Sequence, residues 1–129
     1  MLHTFIKDFY KTISFDKGEE WREEAFREYF LSDAILFECK VGCYHRKTID
    51  EFVSEFTSLI KFHPEYFENG FQEKQVNVKI IENDISTLTS SEYEKCYCIS
   101  GKEVKEYGIF NMSIVKKDGT LKIACLIWS

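Results

Sequence analysis

A single proline, Pro64, punctuates the 129 residues, and nowhere does the chain run through enough consecutive apolar residues to span a bilayer as a helix. Membrane insertion by a helix is therefore not expected. The opening stretch, MLHTFIKDFYKTI, is broken by polar or charged residues every few positions and lacks the unbroken apolar core of a secretory signal. A soluble, cytoplasmic protein is expected. Basic residues do not cluster: 17 Lys and Arg stand against 22 Asp and Glu, a formal charge of −5. Without a basic patch to neutralise phosphates, nucleic acid is not an expected partner.

The five cysteines are odd in number and follow no regular framework, which fits free thiols in a reducing compartment. Cys39-x3-Cys43 and Cys96-x-Cys98 match neither zinc-ribbon nor thioredoxin spacing, and nearby His45 adds one donor only. No metal site and no cofactor are expected. A phosphate-binding loop, a Gly-x-Ser-x-Gly elbow and a His-Glu-x-x-His pair are also missing, so nucleotide hydrolysis, serine acyl transfer and zinc proteolysis lack their usual signals. No repeat, low-complexity tract or linker divides the chain, which reads as one domain over 1–129.

What is abundant is aromatic. Phe, Trp and Tyr make up 16% of the residues, twelve of them Phe, more than a minimal core needs and suited to packing around an interior space. Leu2, Phe5, Ile6, Phe9, Tyr10 and Ile13 recur at helical spacing, predicting an amphipathic helix to about residue 15. Trp21, Ala25, Phe26, Tyr29 and Phe30 predict a second helix between Glu19 and Leu31, with Glu19, Glu20, Glu23 and Glu24 suiting its N-terminus. Ala34 to Lys40 fits a short strand, set apart from the later ones. Thr48 and Glu51 form a capping box ahead of Ile49, Phe52, Val53, Phe56 and Ile60, and this third helix should end near His63, because Pro64 disfavours helical geometry in the residue before it.

From Gln75 onward the chain reads as four antiparallel strands joined by turns at Asn83-Asp84, Ser100-Gly101-Lys102 and Asp118-Gly119. Counting back from each turn places Val78 opposite Thr89, Ile80 opposite Thr87, Thr89 opposite Met112 and Ser91 opposite Phe110. The same counting sets Ile114, Met112 and Phe110 against Ile123, Cys125 and Ile127. All these residues then share one face. The other face carries Tyr107, Ile109, Val115, Leu126 and Trp128 among Asn77, Lys79, Asn111, Ser113 and Lys122, a mixture suited to an interface. The fold class expected is α+β, with three helices on a mostly antiparallel sheet.

This order of elements, with FYKTISFDKGEEW, FREYFLSDAILFE and KDGTLKIACLIW, resembles the nuclear transport factor 2-like superfamily, in its SnoaL-like and steroid-isomerase-like branches. The resemblance covers nearly the whole chain. It implies a curved sheet wrapped round the helices as a cone, an interior cavity at the wide end, and dimerisation through the sheet. The chain departs from the pattern after the first strand, where CKVGCYHRKT replaces a proline- or glycine-rich loop.

The resemblance also nominates residues. Aligned without gaps from Asp33-Ala34, Glu38 falls where steroid-isomerase-like enzymes carry a proton-shuttling acid; aligned from Val41-Gly42, Cys39 lands there. Tyr10 sits near the tyrosine that such enzymes use to hydrogen-bond an oxyanion. A carboxylate beside an apolar wall can move protons near neutral pH, whereas a Glu on an edge strand is ordinarily solvated and a helix Tyr ordinarily reaches water. Asp33 reads as a loop-holding carboxylate, His63 as a helix-end residue, His3 as surface, and His45 as a loop residue near the cavity mouth. Thr87, Thr89, Ser91 and Tyr93 share the face of Phe110 and Met112, and hydroxyls there need partners that a ligand or water can supply, unless the positions are partly exposed. Three functions follow. The first is binding of a small apolar or cyclic molecule in the cavity. The second is an isomerase, cyclase or dehydratase with Glu38 as base and Tyr10 as donor. The third is a non-catalytic dimerisation or interaction module. A homodimer through Tyr107, Ile109, Leu126 and Trp128 is expected.

Overall fold

The computed structural model describes all residues, Met1 to Ser129. Helix α1 (Leu2–Ile13) is followed by a two-residue strand β1 (Phe15–Asp16), a short helix α2 (Glu23–Arg27), and strands β2 (Phe30–Lys40) and β3 (Cys43–Thr48). Helix α3 (Ile49–Phe62), a 3-10 turn over Pro64–Tyr66, and the strands β4 (Gly70–Glu82), β5 (Thr87–Ile99), β6 (Lys102–Lys117) and β7 (Thr120–Trp128) complete the chain. The strands form one curved seven-stranded sheet in the order β1-β4-β5-β6-β7-β2-β3. The domain is α+β, helices on one face of the sheet. None of the helices is long and apolar enough to cross a membrane.

The helices sit where their apolar stripes require. Ile6, Phe9, Tyr10 and Ile13 of α1 are buried, as are Ile49, Val53 and Phe56 of α3. Thr48 caps α3 with both arms of its capping box: its Oγ1 accepts from the Glu51 amide, and the Glu51 carboxylate accepts from the Thr48 amide, each at 3.1 Å. The second helix is much shorter than its stripe predicts. Phe30 already belongs to β2, opposite Ile123 of β7, and the Tyr29 carbonyl accepts from the Ile123 amide at 2.7 Å. Tertiary strand pairing overrides local helix propensity here.

The early strand does not stand apart. It runs parallel to β7, so it extends the meander and joins the same sheet. The segment read as a loop, CYHRKT, is the edge strand β3, turned back at Gly42 with φ +80 and paired with β2 through Lys40 and Cys43. Its residues are mostly exposed, so alternation gave no signal.

The meander registers hold at Ser91 opposite Phe110, Thr89 opposite Met112 and Lys117 opposite Thr120. The β4–β5 loop is longer than two residues: Glu82 pairs with Thr87, and Asn83 Oδ1 accepts from the amides of Ile85 and Ser86, both at 2.9 Å. Val78 therefore faces Ser91 and Ile80 faces Thr89, a shift of two that preserves the face.

Two single-residue bulges change faces. In β7, Ile123 pairs with Ile114 but Cys125 pairs with Ser113, so Ala124 is the extra residue. Every later side chain of β7 is flipped relative to strict alternation. Leu126 and Trp128, expected on the outer face, instead point under the helices, while Cys125 and Ile127 face outward; Leu126 is 2% exposed and Ile127 38%. In β4, Gln75 pairs with Tyr93 and Asn77 with Glu92, leaving Val76 extra and exposed. Beyond it, Gln75, Glu73 and Phe71 turn inward.

Candidate functional site

The inward turn at Val76 sets a carboxylate in the aromatic core. Glu73 is 9% exposed. Its backbone is clamped by Ser14 at the end of α1, whose Oγ accepts from the Glu73 amide at 2.9 Å and donates to the Tyr10 carbonyl at 2.9 Å. The side chain is not clamped: Glu73 Oε1 is buried and has no hydrogen-bond partner. Burial, which disfavours the charged form, pushes its carboxyl up to about 7, against a smaller lowering by Lys95.

Glu73 opens onto a cavity of about 160 Å³. Phe9, Phe26 and Phe110 close its α1 side, Phe52 and Phe56 come from α3, and Trp128, brought in by the Ala124 bulge, meets Phe52 edge-on at 5.5 Å. Tyr93 stacks on Phe110 at 4.5 Å and donates its hydroxyl to the Ser129 carbonyl at 2.7 Å. That ring position depends on Gly108, its cross-strand partner, since a Cβ there would lie 2.4 Å from the Tyr93 hydroxyl. Lys95, directly opposite Glu73 in the β4–β5 ladder, also lines the cavity. Its ammonium turns to Glu106 at 3.8 Å and is not bonded to Glu73. Together with Leu59 and Phe71, Lys95 borders a second apolar cavity of about 280 Å³ beside Tyr66 and Tyr97, which adjoins the first.

The residues nominated by the sequence fall at three depths. Tyr93 and Phe110 line the cavity. Thr89, Ser91 and Met112 are buried outside its lining, Ser91 against Tyr10 of α1, and Thr87 is half-buried nearer the β4–β5 loop. Tyr10 does not reach water: its hydroxyl is hydrogen-bonded to Ser91 at 2.6 Å, and burial raises its pKa. Thr89 Oγ1 is buried without a partner. Changing Tyr10 to Phe strands the Ser91 hydroxyl, so a loss of about 2 kcal/mol is expected in denaturant melts, partly restored when Ser91→Ala is added.

Glu38 lies on the inward face beside Trp128, at the cavity's edge, and is ion-paired with Lys47 at 3.1 Å. Lys47 also binds Glu55 of α3 and lies 5.9 Å over the Trp128 ring. Glu38 is thus engaged in a bridge from β3 to α3. Its strand partner His45 is exposed, on a strand instead of a loop. Cys39 is half-buried on the opposite face of β2, and Asp33 is exposed in the irregular stretch between Phe30 and Ile35. No group of three or more His, Cys, Asp or Glu side chains is placed to hold a metal ion.

Glu73 and Lys95 were missed by the sequence reading. Strict alternation back from Val78 puts Val76 and Lys74 inward and Glu73 outward. Counting the β4–β5 ladder from Tyr93 to Lys95 would have placed Lys95 inward, but nothing local announces the Val76 bulge.

No protein-family model matches this sequence, and no curated protein matches it. Solved structures do. A candidate scytalone dehydratase from Novosphingobium aromaticivorans superposes with a TM-score of 0.74 at 12% identity, over 98% of this chain and 79% of the other. Aln2 from a Streptomyces species gives 0.73 at 11% identity, over 99% and 86%. A candidate ketosteroid isomerase from Shewanella frigidimarina gives 0.69 at 14% identity, over 98% and 92%. At such identities the likeness is one of fold, and the chain has the fold of the nuclear transport factor 2-like superfamily.

Proposed function

We propose that this domain binds a small, largely apolar ring compound in the aromatic cavity, with Glu73 as its polar contact. The observation that carries this reading is the unpartnered Glu73 Oε1 in the wall of a chamber lined, apart from Lys95, by aromatic and aliphatic side chains. A buried carboxyl without a partner costs about 1 to 3 kcal/mol, a cost a bound hydrogen-bonding group removes. The neutral probes 2-naphthol and 2-naphthamide test it. Saturable binding that quenches Trp128 fluorescence, and that persists by calorimetry in Trp128→Phe, is the expected result. Absence of saturable binding by both compounds and by the matching acid, 2-naphthoic acid, contradicts the reading.

A proton-transfer activity is the second reading, favoured by a carboxyl whose pKa of about 7 lets it take and return a proton near neutrality. In this reading the base is Glu73, since Glu38 is held by Lys47 and the Tyr10 hydroxyl by Ser91. The domain neighbours described as a dehydratase and an isomerase carry chemistry of this kind in their names.

The outer face of the sheet exposes Tyr107, Ile109, Leu88 and Ile127. We propose a homodimer through this face, in a cytoplasmic setting that suits five unpaired cysteines. Light scattering at micromolar concentration is expected to give twice the mass of the chain, reverting to the single mass in Ile109→Glu. A monomeric parent contradicts it.

A further inference from the structure

Resting on that ligand-binding reading, we infer that the ligand carries a carboxylate, seated between Lys95 and Glu73 with its ring in the aromatic chamber. The placement of two charged groups argues for it. Glu73 and Lys95 are direct cross-strand partners on the same face, the arrangement in which opposite charges ordinarily close into an ion pair. Here they do not. Glu73 Oε1 has no partner, and the Lys95 ammonium reaches only Glu106, at 3.8 Å. Both side chains line the cavity. Two polar groups face one space, and neither satisfies the other.

The chemistry of the gap selects the occupant. Lys95 offers N–H donors and a positive charge. Glu73, when neutral, offers an O–H donor. A carboxylate accepts from both at once, and a planar ring attached to it extends among Phe56, Phe110 and Trp128. An ammonium ligand would meet Lys95 and be repelled, and a neutral amide would bring the Lys95 ammonium no charge beyond that of Glu106 at 3.8 Å. The groups facing Glu73 are Lys95 and Tyr93 from β5 and Tyr10 from α1, with Glu106 of β6 behind Lys95; α3 contributes the apolar Phe56 and Leu59. No second cation is available to keep Glu73 ionised once an anion arrives. Binding therefore takes up a proton from solvent: ligand carboxylate, Lys95 ammonium and neutral Glu73 form the complex above the pH at which free Glu73 has ionised. Lys95 also borders the adjoining cavity beside Tyr66 and Tyr97, which gives a substituted acid room to extend past the junction.

Calorimetry at pH 7.5 with three matched probes decides the matter: 2-naphthoic acid, 2-naphthamide and 2-naphthylmethylamine. The acid is expected to bind at least about tenfold more tightly than the amide, a difference of about 1.4 kcal/mol. The amine is expected to bind most weakly. Titrations in buffers of different ionisation enthalpy should show proton uptake with the acid, lost in Glu73→Gln, and Lys95→Met should remove the preference for acid over amide. Equal or tighter binding of the amide or the amine overturns the inference while leaving the ring-binding reading in place. So does an acid preference that survives Lys95→Met, or acid binding without proton uptake. If none of the three probes binds, both readings fall together.

Discussion

At pH 8 the Glu73→Gln variant is expected to be more stable than the parent by up to about 3 kcal/mol, and at pH 5 by less than about 1 kcal/mol. The direction follows from proton counting. The carboxyl has a folded-state pKa of about 7 against an ordinary 4.5, so between those values the folded protein holds a proton that the unfolded chain has released. Stability is then greatest below about pH 4.5, falls as pH rises through that window, and reaches its full deficit above 7. A separation of about two and a half pH units at about 1.4 kcal/mol each sets the magnitude. Glutamine cannot ionise and carries no such deficit. Urea melts of both proteins at pH 5 and pH 8 measure the effect, and a parent-to-variant difference that does not change with pH contradicts it. A carboxyl that weakens the empty protein at physiological pH is the kind of cost found where a site is arranged for a ligand.

Gly108→Ala is expected to lose about 3 kcal/mol and to weaken ring binding by at least tenfold. A Cβ at this position would lie 2.3 Å from the Ser129 carbonyl oxygen and 2.5 Å from Cε1 of Tyr93. Something must move, and the Tyr93 ring is what lies across the glycine. Its displacement breaks the hydroxyl bond to Ser129 and the stack on Phe110, both of which fix the cavity wall. Overpacking of about 1 to 3 kcal/mol and a lost hydrogen bond of about 1 kcal/mol combine to the stated loss. Thermal melts and 2-naphthol titration of the variant check it. A variant as stable as the parent, with unchanged binding, would show that Tyr93 is not held as described. The control is Gly119→Ala in the β6–β7 turn, where a Cβ meets nothing but the backbone strain of φ +80 remains. It should lose stability without losing the ligand.

How much of this was legible in the sequence depended on whether a signal was periodic. The stripe from Ile6 to Ile13, the Thr48–Glu51 box and the Asp118-Gly119 and Ser100-Gly101 turns each couple several residues to one geometry, and they fixed two helices and most of the meander. Bulges work the other way. A single added residue, Val76 or Ala124, brings no glycine or proline to mark it, yet reverses every side chain beyond it. Those two insertions turned Glu73 inward and exchanged Trp128 for Ile127, so the cavity's carboxylate and its terminal aromatic wall were the parts alternation could not reach. The hydroxyl stripe was placed on the correct face but at another depth, because Tyr10 of α1 covers Ser91, and Thr89 is buried outside the cavity lining. Strand β3 was hidden for a different reason: an exposed edge has no buried side to create a period.

One group decides the site: the Glu73 carboxyl, standing protonatable in the aromatic cavity that we propose a ring compound fills. Its titration by carboxyl-carbon NMR, in glutamate-labelled protein with and without saturating 2-naphthol, tests this most directly. One glutamate signal, absent in Glu73→Gln, is expected to titrate at about pH 7 in the free protein and to move when the compound is added. If every glutamate titrates in the ordinary carboxylate range and none responds to the ligand, Glu73 is not in such a cavity and the proposed site is wrong.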